Sequence, residues 1–249
     1  MRVAAIYDIH GNLPALEAVL DEILQEGADI VVVGGDVVPG PMCRGVMERL
    51  LSLEMPVRFI HGNCEREMFA VVTDSGTGNL PDQYRSTLRW VSQELGPGYR
   101  KLMAGWPLTS TIEVEGLGNV QFCHATPRDD NEVFTRLTAE ERLLPVFEGV
   151  DASTVVCGHS HMQFDRTVGK VRVVNAGSVG MPFGEPGAYW LSLGPNVQLR
   201  RTSYDLASAA ERIRATSYPL AEDFAANDVL KPPSEEEMLK VFSAYDRAL

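Results

Sequence analysis

The sequence predicts an α/β fold, a four-layer sandwich of two mixed β-sheets flanked by helices. Residues 1–60 alternate short apolar runs with amphipathic stretches, a pattern typical of β-α-β units that cover a sheet with helices. Residues 108–202 contain closely spaced apolar runs joined by glycine turns such as Val168-Gly169-Lys170, which favours hairpins and antiparallel pairing. A β-α-β half followed by a hairpin-rich half predicts two sheets packed face to face.

The first half contains clear start and stop signals. The apolar run Val3–Ile6 predicts the first strand, and Asn12 is placed to cap the helix that follows. Gly27 ends this helix, because glycine readily adopts the left-handed conformation at a helix C-terminus. The run Ile30–Val33 is apolar throughout, which is typical of a strand buried on both faces. We expect Pro56 to open the third strand.

A mainly helical insert at about residues 65–105 follows the third strand. Tyr84, Leu88 and Val91 lie at helical spacing within it. Because the insert leaves from a turn that carries polar, metal-capable side chains, we expect it to overhang that turn as a lid. Its glycine-rich loop at residues 75–78 lacks the lysine of a phosphate-binding P-loop, so we interpret it as a plain connection.

Strands dominate residues 108–202. We predict strands at Thr111–Val114, Val120–Cys123, Thr154–Cys157, Phe164–Val168, Val171–Val174, Ala188–Leu193 and Val197–Thr202, with a helix at about Ala139–Phe147. Residues 1–203 would thus form one domain, of a size at which a single sizeable core is ordinary.

Residues 204–249 predict a helical C-terminal extension. Ser234 and Glu237 match the capping-box pattern at the start of a final helix. The apolar residues that share one face of this helix are Met238, Phe242, Tyr245 and Leu249. We expect that face to pack either on the parent domain or on a second subunit of a homo-oligomer.

Charge and cysteine usage narrow the class of protein. The chain carries 34 acidic and 22 basic residues, a net charge of -12, which disfavours nucleic acid or an anionic membrane as a partner. Its four cysteines form no CxxC pair, which indicates reduced thiols rather than a disulfide framework. The opening Met1-Arg2-Val3 shows no leader pattern, and no apolar run approaches the length of a membrane span. We therefore expect a cytoplasmic protein.

Metal-capable side chains follow five of the predicted strands. They are Asp8 and His10 after the first strand, Asp36 after the second, His61 and Asn63 after the third, His124 after the fifth, and His159 and His161 after the sixth. All five histidines of the chain lie in these turns, usually beside a glycine that permits close approach of the backbone. The pattern predicts a single site to which all of these turns contribute.

In chain order these turns read D-x-H, G-G-D, G-N, H and G-H-x-H. This ordered series resembles the calcineurin-like metallophosphoesterase superfamily. The D-x-H-G-N, G-N-C-E and N-A-G-S-V-G elements look most similar to its small bacterial and archaeal phosphodiesterase branch. The resemblance covers roughly residues 1–200 and implies hydrolysis of a small phosphoester, with diesters favoured over monoesters.

The resemblance also implies a site for two divalent ions. Asp8, His10, Asp36 and His161 would hold one ion, and Asp36, Asn63, His124 and His159 the other, with Asp36 as the bridge. Carboxylate, amide and imidazole ligands together suit first-row transition ions better than calcium or magnesium. We expect Mn²⁺, with iron, nickel or zinc as alternatives. Such a pair would lower the pKa of a shared water to supply hydroxide near neutral pH.

One position departs from the commonest family pattern. The residue after Asn63 is often a histidine that is thought to protonate the leaving group, but here it is Cys64, as in the small phosphodiesterase branch. A thiol is a poorer acid for this step, and His61 is an alternative proton donor. Each also has a purely structural interpretation, as a core side chain. The candidate catalytic residues are Asp36, Asn63, His61 and Cys64.

Two other functions are compatible with this resemblance. The first is a non-catalytic binding scaffold, because the same fold resembles a subunit of a membrane-trafficking coat that recruits partners. In that subunit the signature histidines are partly replaced, whereas every ligand position is filled here. A nuclease acting on DNA ends shares the motif set, but the acidic charge and the lack of a basic stripe disfavour it. We therefore expect an enzyme, but the sequence does not identify its physiological substrate.

Overall fold

Ten strands in the described part of the chain form two five-stranded sheets. The structure is a computed structural model that describes residues 1–75 and 80–245. The strands are β1 Val3–Ile6, β2 Ile30–Val33, β3 Val57–Phe59, β4 Thr109–Val114, β5 Gly118–Cys123, β6 Thr154–Cys157, β7 Phe164–Val168, β8 Val171–Asn175, β9 Ala188–Leu193 and β10 Val197–Thr202. The first sheet has the order β10-β9-β1-β2-β3, and the second has the order β4-β5-β6-β8-β7.

The helices lie between and after these strands. They are α1 Leu13–Glu26, α2 Cys43–Leu51, α3 Asn63–Thr73, α4 Asp82–Met103, α5 Glu140–Phe147, α6 Leu206–Arg214, α7 Ala221–Phe224 and α8 Glu235–Tyr245, with a π-helix at Ala225–Leu230. Helix α4 is kinked at Gly96, whose φ of 70° and ψ of 175° interrupt the helix just before Pro97. The predicted insert is therefore helical, but residues 76–79 of its glycine-rich loop lie outside the described residues.

Both sheets are mixed, as predicted. Strands β1, β2 and β3 run parallel, while β9 and β10 extend the sheet by antiparallel pairing. In the second sheet β5, β6 and β8 run parallel, and β4 and β7 pair antiparallel at its edges. The carboxyl ends of the central strands of each sheet therefore open on one edge of that sheet.

The alternation of side chains along the strands creates three hydrophobic layers. Residues such as Val32 and Phe122 pack between the two sheets. On the outer face of the first sheet, Val33 packs with residues of α1, α2, α4 and α6. On the outer face of the second sheet, Val155 packs with Leu143 of α5. Because successive strand residues point to opposite faces, these layers confirm the predicted four-layer sandwich.

Local signals in the sequence explain several element boundaries. The Asn12 side chain accepts a hydrogen bond from the Ala15 amide at 3.2 Å and caps α1, which ends at left-handed Gly27. At α8 the Ser234 amide donates to Glu237 Oε2 at 2.9 Å, as in a capping box. Strands β4 and β5 begin two residues earlier than predicted, because backbone pairing continues past their apolar residues. All four cysteines are buried and free, as predicted.

The C-terminal extension packs on the rest of this chain. Ala209, Ala210 and Ile213 of α6 belong to the core cluster on the outer face of the first sheet. The Phe242 ring of α8 lies 6.0 Å from the Phe183 ring, so this face contacts the parent domain. Leu249 and the Tyr245 side chain lie outside the described residues, and the domain boundary and a homo-oligomer stay predictions. Within the described ranges, no helix has the length and apolarity needed to cross a bilayer.

Candidate metal centre

The predicted ligands lie together where parallel strands of both sheets end. The turn after β1 is tied to the turn after β2, because the amides of Asp8 and His10 donate to the carbonyls of Gly35 and Asp36 at 3.1 Å and 3.0 Å. In the second sheet the Gly158 amide donates to the His124 carbonyl at 2.8 Å. These backbone hydrogen bonds connect the turns to one another independently of side-chain contacts.

The backbone of these turns is strained at the candidate ligands. Among the described residues, the non-glycine residues with positive φ are Asp8 (53°), His10 (46°), Asp36 (51°), Asp74 (52°), His159 (65°) and His161 (57°). Asp74 is the C-terminal cap of α3, and each of the others is a predicted ligand. The left-handed conformation costs about 1–2 kcal/mol for a residue with a Cβ. Such strain is concentrated at functional sites, where the surroundings hold it in place.

Two glycines permit the close packing of this edge. A Cβ on Gly62 would lie 2.2 Å from Asp36 Oδ1, and a Cβ on Gly158 would lie 2.4 Å from Asp8 Oδ2. Only glycine therefore allows the backbone of these turns to approach the two carboxylates.

The carboxylates and imidazoles face one another at short range. Asp36 Oδ2 lies 3.4 Å from His124 Nε2 and 3.9 Å from His10 Nε2. Asp8 Oδ1 lies 3.3 Å from His161 Nε2 and 3.8 Å from His124 Nε2. Among the described residues, three groups have ligand atoms within 4.8 Å of one another: Asp8, His10 and His161; His10, Asp36 and Cys64; and Asp36, His124 and His159.

Hydrogen bonds on the far side of two imidazoles fix their tautomers. The Nδ1–H of His124 donates to the Gly34 carbonyl at 2.9 Å, and that of His161 donates to the Met181 carbonyl at 2.7 Å. The Nε2 atoms then point into the site, and in the neutral imidazoles their lone pairs face it. This is the arrangement by which proteins orient histidine ligands of metals.

Burial and mutual charge separate the pKa values of these groups. Burial lowers the pKa of His10 and of His159 to about 4, so both imidazoles are neutral. Burial opposes protonation of His124 too, but Asp36 raises its pKa to about 10. Against the effect of burial, His161 keeps the pKa of Asp8 low and His124 keeps that of Asp36 low. Both carboxylates are therefore ionised, and in the absence of a metal the protonated His124 imidazole supplies positive charge beside them.

Two buried polar atoms in this cluster make no hydrogen bond with any residue that the structure describes. They are Asp8 Oδ1 and His10 Nδ1. A buried polar atom without a partner costs about 1–3 kcal/mol, so each calls for an explanation. Ionised carboxylate oxygen and neutral imidazole nitrogen are donors that transition ions accept. The residues present therefore fit divalent cations.

The three remaining candidate site residues occupy different environments. Asn63 Oδ1 lies 3.2 Å from His124 Nε2, inside the cluster. The Cys64 thiol donates to Asp36 Oδ2 at 2.9 Å, and burial raises the pKa of that thiol. The His61 imidazole, in contrast, is 27% exposed, lies 3.5 Å from Asp130 Oδ2, and belongs to none of the three ligand groups. The proposed roles of His61 and Cys64 as proton donors stay predictions.

Glu65 is a site residue that sequence reasoning missed. Its buried carboxylate accepts hydrogen bonds from the Gly62 amide at 2.7 Å, the Asp36 amide at 2.9 Å and the Val37 amide at 2.8 Å. Burial and the nearby Asp36 charge raise its pKa to about 7. It thus ties the turn after β2 to the start of α3. Its position three residues after the cap Gly62 was the available signal.

A cavity of about 250 Å³ opens beside the cluster. His10 and Cys64 line it, and α4 contributes Tyr84. The C-terminal extension contributes further lining residues, which include Tyr218 and Phe224. The predicted lid-like insert therefore lines a cavity at this site, although its role as a lid stays a prediction.

A family and a curated relative match the sequence. The Calcineurin-like phosphoesterase superfamily domain matches residues 1–193. The phosphodiesterase YfcE of Escherichia coli is 36% identical over 77 residues, which cover 27% of this chain. The matched stretch covers 42% of the length of YfcE, so it spans less than half of that relative.

Two solved structures have a similar fold over nearly the whole chain. A hypothetical protein from Pyrococcus horikoshii has a TM-score of 0.76 at 21% identity, covering 94% of this chain and 99% of that one. A metallophosphoesterase from Sphaerobacter thermophilus has a TM-score of 0.69 at 23% identity, covering 91% of this chain and 97% of that one. At these identities the likeness establishes the fold alone.

Proposed function

This chain belongs to the calcineurin-like phosphoesterase superfamily, and we propose that it is a metal-dependent phosphodiesterase with a dinuclear centre. The substrate would be a small phosphoester. A net charge of -12 disfavours nucleic acid, and the family assignment makes a phosphate ester the expected reactant. The preference for diesters follows from the resemblance to phosphodiesterases such as YfcE.

The observation that carries the proposal is the convergence of seven ligand-type side chains at one edge. Asp8, His10, Asp36 and His161 would hold one ion, and Asp36, Asn63, His124 and His159 the other. Three features support this assignment: strained backbone at five of these residues, fixed tautomers at two of them, and the buried oxygen Asp8 Oδ1, which accepts no hydrogen bond from a described residue. Each feature makes sense if cations take the open ligand positions.

Divalent cations bound there would lower the pKa of a water nucleophile and offset the negative charge of the phosphoryl group. The chain's own residues prepare the site for them. Asp36 faces imidazoles from both ligand sets and is the candidate bridge. Glu65 holds the backbone on either side of that bridge, and the neutral Cys64 thiol donates to it. Asn63 contributes a neutral oxygen, which leaves net positive charge for an anionic substrate.

Hydrolysis of bis(p-nitrophenyl) phosphate in the presence of Mn²⁺ tests the proposal, with p-nitrophenyl phosphate as the monoester comparison. We expect the diester to be hydrolysed faster. Removal of the bridge in Asp36→Ala should lower kcat by about 10³-fold or more, because transition-state charge then loses its stabilisation. The exposed Asp21→Ala on α1 is the matched control and should retain wild-type rates.

Two results would contradict the proposal. Wild-type turnover in Asp36→Ala would show that the site assignment is wrong. No hydrolysis and no metal retained under any loading condition would favour the alternative of a non-catalytic scaffold of the same fold.

A further inference from the structure

We call the turns that carry the seven candidate ligands the metal edge. The cavity beside the metal edge has room for one compact substituent of a substrate. Its volume is about 250 Å³, whereas pockets for drug-sized ligands run from about 300 to 1,000 Å³. His10 and Cys64, two residues of the ligand cluster, line it. A phosphodiester whose phosphoryl group lies at the metal edge would therefore place one of its two alcohol groups in this cavity.

Aromatic side chains form much of the cavity wall, and their contacts hold them in place. The Tyr218 ring makes edge contacts with Trp90 at 5.4 Å and with Phe224 at 6.4 Å. The Tyr84 hydroxyl donates to Glu67 Oε2 at 3.0 Å. Three aromatic side chains thus line the cavity, and aromatic rings attract a cation bound against their faces.

The charged side chains of this wall are both acidic. Asp223 and Asp228 line the cavity, and no lysine or arginine in the described part of the chain does so. Asp223 Oδ1 accepts a hydrogen bond from Asn227 Nδ2 at 2.7 Å. Asp228 has neither a hydrogen bond nor an ion pair with any described residue, and burial together with Asp223 raises its pKa to about 7. A cation in the cavity would give this carboxylate a partner, whereas an additional phosphate would be repelled.

We propose that the cavity selects a phosphodiester in which one alcohol group carries an ammonium or trimethylammonium cation. The inference rests on the proposed function and adds the substrate class to it. Recognition would combine cation–π attraction from Tyr84, Tyr218 and Phe224 with the charge of Asp223 and Asp228. A neutral alcohol group of the same shape would gain neither interaction.

A pair of chromogenic substrates that differ in one atom tests this selection. p-Nitrophenyl phosphorylcholine carries a trimethylammonium group, and p-nitrophenyl 3,3-dimethylbutyl phosphate carries carbon in place of that nitrogen. In both, water adds to phosphorus, the bond to p-nitrophenolate breaks, and two protons pass to solvent. We expect kcat/KM of the wild-type protein to favour the cationic substrate by about thirtyfold, the effect of a desolvated cation–π site.

Variants locate the origin of that preference. Asp228→Asn keeps the size of the side chain and should bring the ratio of the two kcat/KM values close to one, and Asp223→Asn serves as a second variant if the first does not fold. Exposed Asp151, which precedes β6 at the opposite edge of the second sheet, provides the control Asp151→Asn, which should keep the wild-type ratio. Equal rates on both substrates with wild-type protein would overturn the proposal.

A binding measurement separates failure of this inference from failure of the proposed function. Ligand-observed NMR would compare choline with 3,3-dimethylbutanol on Zn²⁺-loaded protein. Selective choline binding that is lost in Asp228→Asn, without hydrolysis of any ester, would support the cavity assignment and contradict the proposed function. Hydrolysis of both esters at equal rates, with no selective binding, would overturn the cavity assignment and leave the proposed function intact.

Discussion

The metal edge and the cavity wall beside it are built in different ways. The edge consists of turns that directly follow strands, and backbone hydrogen bonds fix these turns. The wall consists of side chains from α4, the segment before α7, α7 itself and the π-helix. The family match covers residues 1–193, whereas the wall residues of the extension lie at 218–228. The candidate ligands thus lie within the matched region, whereas part of the cavity wall lies outside it.

Among the changes considered, Glu65→Gln should cause the largest loss of stability, because Glu65 connects the turns of the metal edge. Two backbone amides donate to each carboxylate oxygen, so a glutamine in either orientation turns its NH₂ group toward two N–H donors. We expect a loss of about 3 kcal/mol in the free energy of unfolding, the cost of two buried donors without acceptors. Urea denaturation measures it. The exposed Glu48→Gln on α2 should change stability by less than about 0.5 kcal/mol, and an equal effect of both variants would refute the assigned role.

Removal of metal should cause the second-largest loss of stability. A ligand that binds only the folded state stabilises it by about 2.7 kcal/mol at a concentration of one hundred times its Kd. Metal-free protein should therefore gain stability on addition of Mn²⁺, with a Tm that rises with metal concentration. Asp36→Ala should show little of this gain, and the wall variant Asp228→Asn should keep it. A Tm of wild-type protein that is insensitive to metal would contradict the account.

The positive φ angles at the metal edge predict that a glycine variant is more stable there than an alanine variant, which reverses the usual order. His161 has a φ of 57°, so in metal-free protein His161→Gly should be more stable than His161→Ala by about 1 kcal/mol. His61 lies in a neighbouring turn without positive φ, and there the alanine variant should be the more stable one. Urea denaturation of the four variants measures both differences. The same sign at both positions would show that the edge holds no strain.

Cys64 should give the smallest effect. Its buried thiol donates to Asp36 Oδ2, and a serine hydroxyl can make the same hydrogen bond. We expect Cys64→Ser to lower kcat by less than about tenfold, the value of one hydrogen bond. If the thiol only positions Asp36, the loss should be the same for diesters with good and poor leaving groups. A loss that grows as the leaving group becomes poorer would identify Cys64 as the proton donor.

The turns of the metal edge could be predicted from the sequence because the signals that place them come from neighbouring residues. Ile30–Val33 is apolar on both faces and does form a central parallel strand, so the position of Asp36 at its carboxyl end followed directly. Asn12 and Gly27 marked the ends of α1 for the same reason, since capping depends on a few neighbouring residues. The turn residues could therefore be placed with no knowledge of long-range contacts.

The cavity wall could not be predicted, because it depends on contacts between distant segments. Tyr84 and Tyr218 line one cavity although more than a hundred residues separate them in the chain. The π-helix Ala225–Leu230 lies within the predicted helical extension, but Asp228 carries no local signal of its place beside the site. The left-handed backbone of the candidate ligands His10, His159 and His161 could not be predicted either, because tertiary contacts impose it against intrinsic preference.

Anomalous diffraction from crystals grown with Mn²⁺ tests the central claim most directly. The account predicts two peaks roughly 3.5–4 Å apart, both within ligand distance of Asp36, one beside His10 and His161 and the other beside His124 and His159. The absence of any peak at this edge, or peaks bound elsewhere on the molecule, would contradict it.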